Sequence, residues 1–148
     1  MLIDKETLLS DEQAVTVTAF SANQYDSGNV SGGRNLGRTT PGLRAIFTVD
    51  EAAAAAGAAT VTFEIGHADD AAGTGFVALA SSAAIGKAAL TLGATPFDVP
   101  IPDTAKRFII GRYTVGTGPL TAGKFSLALV NGTPHQRAYP SGHNPSAF

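Results

Sequence analysis

The chain has 148 residues, of which 44% are hydrophobic and 15% are charged, and its formal net charge is −2 at pH 7. A chain of this length forms one domain and buries about 68–70% of its unfolded surface. Its charge gives no general attraction to nucleic acid or to an anionic membrane. No run approaches the roughly 18 apolar residues that a membrane span needs. The absence of cysteine excludes disulfides and thiol catalysis.

The first 13 residues, MLIDKETLLSDEQ, carry charges that the apolar core of a signal peptide does not tolerate. We therefore expect the chain to remain in the cytoplasm where it is made. We interpret residues 1–13 as an N-terminal arm. Leu8 and Leu9 would be unfavourable on a free arm, which makes them candidate contact residues.

Alternation of apolar and polar residues predicts strands through the middle of the chain, with apolar side chains facing inward. The clearest case is 60–65, where Val61, Phe63 and Ile65 alternate with polar residues. The predicted strands, in chain order, are 14–20, 43–49, 60–65, 76–81, 97–101, 107–115 and 124–130. Such runs between Gly/Pro/Asp/Asn turns predict an all-β sandwich or barrel over residues 14–131.

Five consecutive alanines, residues 52–56, precede the strand at 60–65. Alanine favours helix, but Gly57 ends any helix after at most one or two turns, and such short helices are marginal. We predict that residues 52–59 connect two strands and include at most one helical turn. Their small side chains would allow another chain to approach closely.

Two further segments have their own signals. The stretch GPLTAGKF, residues 118–125, matches the spacing of a phosphate-binding loop, but Phe125 replaces the required Ser or Thr and a strand replaces the required helix. We interpret it as a hairpin between the strands at 107–115 and 124–130. Residues 132–148 contain three prolines and no alternation, and are predicted to form an extended tail that is either disordered or ordered against a partner.

Candidate chemistry is sparse. His67, Asp69 and Asp70 fall short of the ligand count of a metal site, and we expect both aspartates to accept backbone hydrogen bonds in a turn. No nucleophile motif is present. We therefore predict no catalytic residues, no metal and no cofactor, and a protein that is not an enzyme.

Arg34 and Arg38 lie on a small-residue loop. Arginine in such a position can form bidentate pairs with a partner's carboxylates, so both are candidate contact residues.

The segments MLIDKETLLSDEQAVTVTA, GRNLGR and VDEAAAAAGAATVTFEI resemble the jelly-roll capsid cement proteins of tailed bacteriophages, the Bordetella-phage cement type. So do HADDAAGTGFVALASSAAI, RFIIGRYTVGTGPLTAGKFSLALV and the late AYPSG. The similarity covers nearly the whole chain in order, and none of its segments is a catalytic signature. The chain departs from the pattern in the longer loop YDSGNVSGGRNLGR and in the extension HNPSAF.

The resemblance implies a jelly roll of about eight antiparallel strands, made in the host cytoplasm and bound to the outer surface of the virion head. There it would clamp adjacent copies of the major capsid protein. It also implies self-association, as a homodimer or alternatively a trimer. We expect contacts through residues 1–10, residues 32–38 and residues 139–142, where Tyr139 and Pro140 form a stiff apolar anchor.

Two other functions are compatible with the same fold. A carbohydrate-binding jelly roll of a virion fibre or adhesin is one, although the chain lacks the tryptophan typical of sugar stacking. A cupin-like metal enzyme is the other, although no H-x-H motif occurs. Binding to a glycan array and metal analysis of the purified protein would distinguish them.

Overall fold

A computed structural model describes residues 5–28, 43–102 and 105–131. Within these ranges the chain forms ten strands and two short 3-10 turns, Lys5–Thr7 and Lys87–Ala89. The strands are β1 Leu8–Ala14, β2 Ala19–Phe20, β3 Tyr25–Asp26, β4 Leu43–Ala54, β5 Thr60–Ala68, β6 Val77–Ser81, β7 Ile85–Gly86, β8 Phe97–Pro100, β9 Phe108–Gly116 and β10 Ala122–Asn131.

The strands form two antiparallel sheets. The first sheet has the order β1-β10-β4-β8, and the second has the order β2-β9-β5-β6, with β3 on β9 and β7 on β5. The predicted all-β antiparallel sandwich is confirmed. Strands β2 and β3 can be counted as one segment, and so can β6 and β7, which gives eight segments in chain order. The first segment, β1, then pairs with the last, β10, and the second, β2 with β3, pairs with the seventh, β9. That nesting is consistent with the predicted jelly roll.

The core lies between the sheets and is built by the alternation seen in the sequence. Val61, Phe63 and Ile65 of β5 are fully buried, as predicted, and the same face of β4 and of β10 is buried opposite them. Phe63 lies within 6 Å of three other rings: 5.4 Å from Phe47, 5.9 Å from Tyr113 and 5.3 Å from Phe125. Edge-to-face packing of this kind adds stability beyond the buried area.

Two predicted elements at the start of the chain differ from the structure. Residues 8–13, assigned to an arm, lie in β1, which pairs with β10 in the first sheet. The strand predicted over residues 14–20 is wrong. Here the chain bends at residues 16–18 to pass from the first sheet to β2 in the second, so Val15 is buried while Val17 is 60% exposed.

Two connections also differ. The alanine run is not wholly a connection, because β4 continues to Ala54 and pairs there with Ala122 of β10. The predicted hairpin between β9 and β10 is wrong. The two strands belong to different sheets, and the intervening segment crosses between the sheets, where Thr121 donates its backbone N–H to Ala54.

Candidate contact surface

The predicted contact residues fall into two groups. Leu8 and Leu9 lie in β1, within the described residues. Arg34, Arg38, Tyr139 and Pro140 lie outside them. The structure therefore gives the position of the first pair and, for the others, only the residues to which their segments are attached.

Leu8 and Leu9 point to opposite faces of the first sheet, as neighbours on a strand do. Leu9 is fully buried in the core between the sheets. This corrects the expectation that Leu9 lies at a surface, because its side chain is not available to a partner in the folded chain. Leu8 is half-buried on the outer face, where it packs against a small apolar cluster.

One end of the sandwich, which we call the charged end, contains residues 26–28, 69–70, 98–102 and 105–107. Its side chains form exposed ion pairs. Arg107 donates from Nε and Nη2 to the two carboxylate oxygens of Asp26, at 2.6 and 2.8 Å. These hydrogen bonds, together with one from the Gly28 backbone, lower the pKa of Asp26 to about 2. The Nζ of Lys106 lies 2.6 Å from Asp69 Oδ1.

The turn after β5 is the predicted polar turn, with one difference. Asp70 Oδ1 accepts hydrogen bonds from the backbone N–H groups of Ala72 and Thr74, at 2.9 and 3.0 Å. Hydrogen bonds from the Thr74 side chain and backbone lower the pKa of Asp70. The carboxylate of Asp69 instead accepts from Lys106. The prediction is confirmed for Asp70 and wrong for Asp69, because a cation is within reach of that carboxylate.

The predicted segments attach at the charged end. Residues 1–4 precede the 3-10 turn Lys5–Thr7, which leads into the start of β1. Residues 29–42 join Gly28, beside the start of β9, to Leu43 of β4. Residues 132–148 follow Asn131, which pairs with Leu43. The three segments named as contact elements thus leave the same end of the sandwich.

The opposite end, which we call the neutral end, is made of residues 15–18, 55–59, 91–96 and 117–121. None of these loop residues is charged, and the ammonium group of Lys87, in the turn Lys87–Ala89, donates to the backbone oxygen of Ala55. Two large apolar side chains are exposed there, Val17 at 60% and Leu92 at 73%. Backbone hydrogen bonds tie the loops to the sheets and to one another, including one from Leu120 N to Thr16 O at 2.9 Å.

The outer face of the second sheet contains a polar and aromatic cluster that sequence patterns did not indicate. Arg112 of β9 donates from Nε and Nη2 to Glu64 of β5, at 2.7 and 2.9 Å. Its guanidinium also lies 4.5 Å from the ring centroid of Phe76, which in turn contacts Phe20. The hydrogen bonds from Arg112, and a further one from Thr114, lower the pKa of Glu64 although burial opposes this. On this face, therefore, the charges of Arg112 and Glu64 are paired with each other.

The residues considered for metal chemistry do not converge. His67 lies on the inner-facing side of β5, Asp69 pairs with Lys106, and Asp70 caps its own turn. Over residues 5–28, 43–102 and 105–131, no group of three potential metal ligands comes together. Tyr113 is buried in the core between the sheets, and burial raises the pKa of its hydroxyl. This hydroxyl therefore stays protonated at physiological pH.

In the described part of the chain, no helix is long and apolar enough to cross a membrane.

The profile of the Bbp16 family matches residues 9–129, from β1 through β10. The chain therefore belongs to the Bbp16 family, whose name suggests a Bordetella phage protein. No curated protein matches the chain.

Proposed function

We propose that this phage-family protein is a capsid cement protein. It would bind the outer surface of the icosahedral head and clamp adjacent major capsid protein subunits, acting as a homodimer or, alternatively, a trimer. The observation that carries the proposal is the attachment of residues 1–4, 29–42 and 132–148 to one end of a rigid β-sandwich. Membership of the Bbp16 family and the resemblance over the whole chain support it.

The charged end provides a rigid base for such contacts. Asp26, which pairs with Arg107, also accepts from the backbone of Gly28, from which residues 29–42 leave. Asn131, from which residues 132–148 leave, pairs with Leu43. In this proposal Arg34 and Arg38 pair with carboxylates of the shell, and Tyr139 with Pro140 provides an apolar anchor. Leu8 remains a candidate contact on the outer face, and Leu9 is assigned to the core.

In this proposal the protein stabilises the shell by binding to it, and it needs no catalysis, metal or cofactor. A protein that binds only the assembled lattice stabilises it by RT ln(1 + [L]/Kd), about 2.7 kcal/mol per site at a hundredfold excess over Kd. An oligomer that contacts two neighbouring capsid subunits adds avidity, because its second contact forms at high effective concentration. The effect is repeated at each site on the shell.

Co-sedimentation tests the proposal. The purified chain is mixed with expanded empty shells of its own phage and, separately, with unexpanded precursors. We expect saturable binding to the expanded shells and a raised shell melting temperature. Binding to precursors would show that expansion is not required. The absence of binding to either form would contradict the proposal, and a glycan array would then test the carbohydrate-binding alternative.

A further inference from the structure

The two flanks of the sandwich, where the sheets end, differ in how they are closed. Phe47 of β4 packs against Phe63 of β5. Phe125 of β10 likewise packs against Tyr113 of β9. The two sheets therefore run side by side, with β1 and β2 at one flank and β8 and β6 at the other. In the described part of the chain, each of these four strands is an edge strand.

The flank of β1 and β2 is closed by hydrogen bonds within the chain. The backbone N–H of Asn23 donates to the Leu9 carbonyl oxygen at 2.8 Å. Gln13 of β1 donates from Nε2 to the Phe20 carbonyl oxygen, and its Oε1 accepts from the backbone N–H of Ala22, each at 2.8 Å. Asn23, Ala22 and Gln13 thus occupy the edges with which another strand would have to pair.

Strand β8, on the other flank, is protected in a different way. Proline has no N–H to donate to an added strand, and β8 ends at Pro100 and follows Pro96. The strand also carries Asp98, whose carboxylate lies 2.8 Å from Nη2 of Arg44 in β4. Prolines and charged side chains are common devices that keep an edge strand from pairing with another chain.

Strand β6, Val77–Ser81, carries neither of these devices. Residues 76–86, FVALASSAAIG, contain no charged residue and no proline. Val77 is 51% exposed, and Ala78 and Ser81 are exposed as well. An exposed, uncharged edge strand offers its outward backbone N–H and C=O groups to a strand of another chain.

The apolar side chains of β6 are only partly covered. A register shift in its pairing with β5 leaves Leu79 as an extra residue between Ala78 and Ala80. Leu79 and Ala80 both pack against the core, yet both are only half-buried. Val77 is paired with His67 of β5 and shares its inner face. The described residues therefore leave the core partly open along β6.

We propose that β6 is the edge through which this protein self-associates: β6 of a second copy pairs with it antiparallel about a two-fold axis, which joins the two second sheets. The inference rests on the proposed function, because it assigns the interface of the oligomer proposed there. A two-fold contact brings the same surface together from both copies. An uncharged edge can meet its own copy without like-charge contacts, whereas pairing through β1 would bring together Asp11 and Glu12 of two copies.

The geometry favours a homodimer over a trimer, since a two-fold contact closes with two copies. When the axis is perpendicular to the sheet, the inner faces of both copies lie on the same side. Val77 and Leu79 of each copy then contact apolar side chains of the other copy. Five residues on each side are fewer than the roughly 20–30 of a typical stable interface. We therefore expect a dimer that dissociates in the micromolar range.

The test measures the mass of the purified chain by sedimentation velocity, without shells, from micromolar to several hundred micromolar concentration. We expect the unaltered chain to pass from monomer to dimer. Val77→Lys with Ser81→Lys should weaken self-association at least about tenfold, because like charges that face each other across an interface oppose binding. The β circular dichroism should be retained, since both side chains are exposed.

Two controls are matched to this variant. Val17→Lys with Leu92→Lys makes the same kind of change at two exposed side chains of the neutral end, and should leave the dimer intact. Val77→Glu with Ser81→Glu should associate as weakly as the lysine variant. An equimolar mixture of the glutamate and lysine variants should form a heterodimer, because opposite charges then face each other.

Each other outcome overturns the proposal. An unaltered chain that forms a trimer or stays monomeric at every concentration would do so, as would a lysine variant that dimerises like the unaltered chain. Loss of the dimer in the neutral-end control would assign the interface to that end. A mixture without heterodimer would show that the two β6 edges do not meet. A monomeric unaltered chain whose shell binding is lost in the lysine variant would assign β6 to the capsid protein.

This measurement contains no shells, so its result does not depend on whether the chain binds them. A dimer that does not co-sediment with shells would contradict the cement proposal alone. A monomer that does co-sediment would contradict the assignment of β6 alone.

Discussion

The same two sheets build both ends of the sandwich, yet the ends differ in chemistry. The charged end contains the ion pairs Asp26–Arg107 and Lys106–Asp69. The loops of the neutral end contain no charged residue of their own and expose Val17 and Leu92, and the ammonium group of Lys87 donates to the backbone oxygen of Ala55 there. Only the charged end is continuous with the three segments proposed to reach a partner. The difference is that one end presents paired charged groups, while the other presents small residues and two exposed apolar side chains.

The two ends are joined by the two sheets, and the aromatic core packs these sheets together. Phe63→Ala removes a fully buried ring that contacts three others, and we expect a loss of about 3–5 kcal/mol in the free energy of unfolding. Urea denaturation measures it. Phe20→Ala is the matched control, because that ring is 36% exposed and its loss should cost less. A loss below about 1 kcal/mol for Phe63→Ala, the average for any substitution, would contradict this account of the core.

The pair between Glu64 and Arg112 lies midway between the ends. Arg112→Gln should cost about 2 kcal/mol, between the values for exposed and buried pairs, because the two side chains are 10% and 34% exposed. The pair holds the pKa of Glu64 below its ordinary value of 4.5. Its contribution is therefore present above about pH 4.5 and is lost as pH falls through the lowered value.

Urea denaturation of the unaltered chain and of Arg112→Gln at pH 7 and at lower pH measures this effect. The difference between the two chains should shrink as Glu64 becomes protonated. Thr114→Val removes a single hydrogen bond to Glu64 and serves as the milder variant. A difference that is independent of pH would mean that Arg112 acts through its contact with Phe76 alone.

At the charged end, Asp26→Asn should reduce stability less than Arg112→Gln, because both Asp26 and Arg107 are exposed to solvent. The pKa of Asp26 is lowered from 3.8 to about 2, so the pair contributes above pH 3.8 and its contribution is lost as pH falls through about 2. The unaltered chain should therefore lose more stability than Asp26→Asn across that window. Equal acid profiles for the two chains would show that the ion pair contributes nothing in solution.

The neutral end should give the smallest effect. Val17→Ser with Leu92→Ser should change the free energy of unfolding by at most about 0.5 kcal/mol per site, because both side chains are mostly exposed. Thermal and urea denaturation measure it. A larger loss would show that the loops of this end are part of the folded core. The losses in the free energy of unfolding for this variant and for Asp26→Asn show whether the two ends differ in their contribution to stability.

Alternation predicted the parts of the fold that face the core. Phe47 and Val49 of β4, Phe63 of β5 and Leu127 of β10 all lie inward as expected, because a strand with one buried face repeats its apolar residues every second position. Alternation does not predict which of the two sheets a strand joins. The connection at residues 117–121 has the glycine and proline of a hairpin, but which sheet each strand joins depends on distant partners.

Other features were missed because they depend on neighbours far apart in sequence. Strand β1 carries Asp11 and Glu12 at an irregular sheet edge, so its pattern resembles a polar arm. The Glu64–Arg112 pair joins residues that are adjacent only across β5 and β9. The burial of Leu9 likewise follows from pairing with β10. Among the predicted contact residues, only Leu8 and Leu9 lie within the described residues, so the proposals for Arg34, Arg38, Tyr139 and Pro140 remain predictions.

One measurement tests the central claim most directly: equilibrium co-sedimentation of three chains with expanded empty shells. The chains are the unaltered protein, a segment variant with Arg34→Glu, Arg38→Glu and Tyr139→Ala, and the neutral-end variant with Val17→Ser and Leu92→Ser. The account predicts saturable binding of the unaltered chain and unchanged affinity for the neutral-end variant. For the segment variant it predicts affinity reduced at least about tenfold, the equivalent of about 1.4 kcal/mol. No binding by the unaltered chain, or a loss confined to the neutral-end variant, would contradict it.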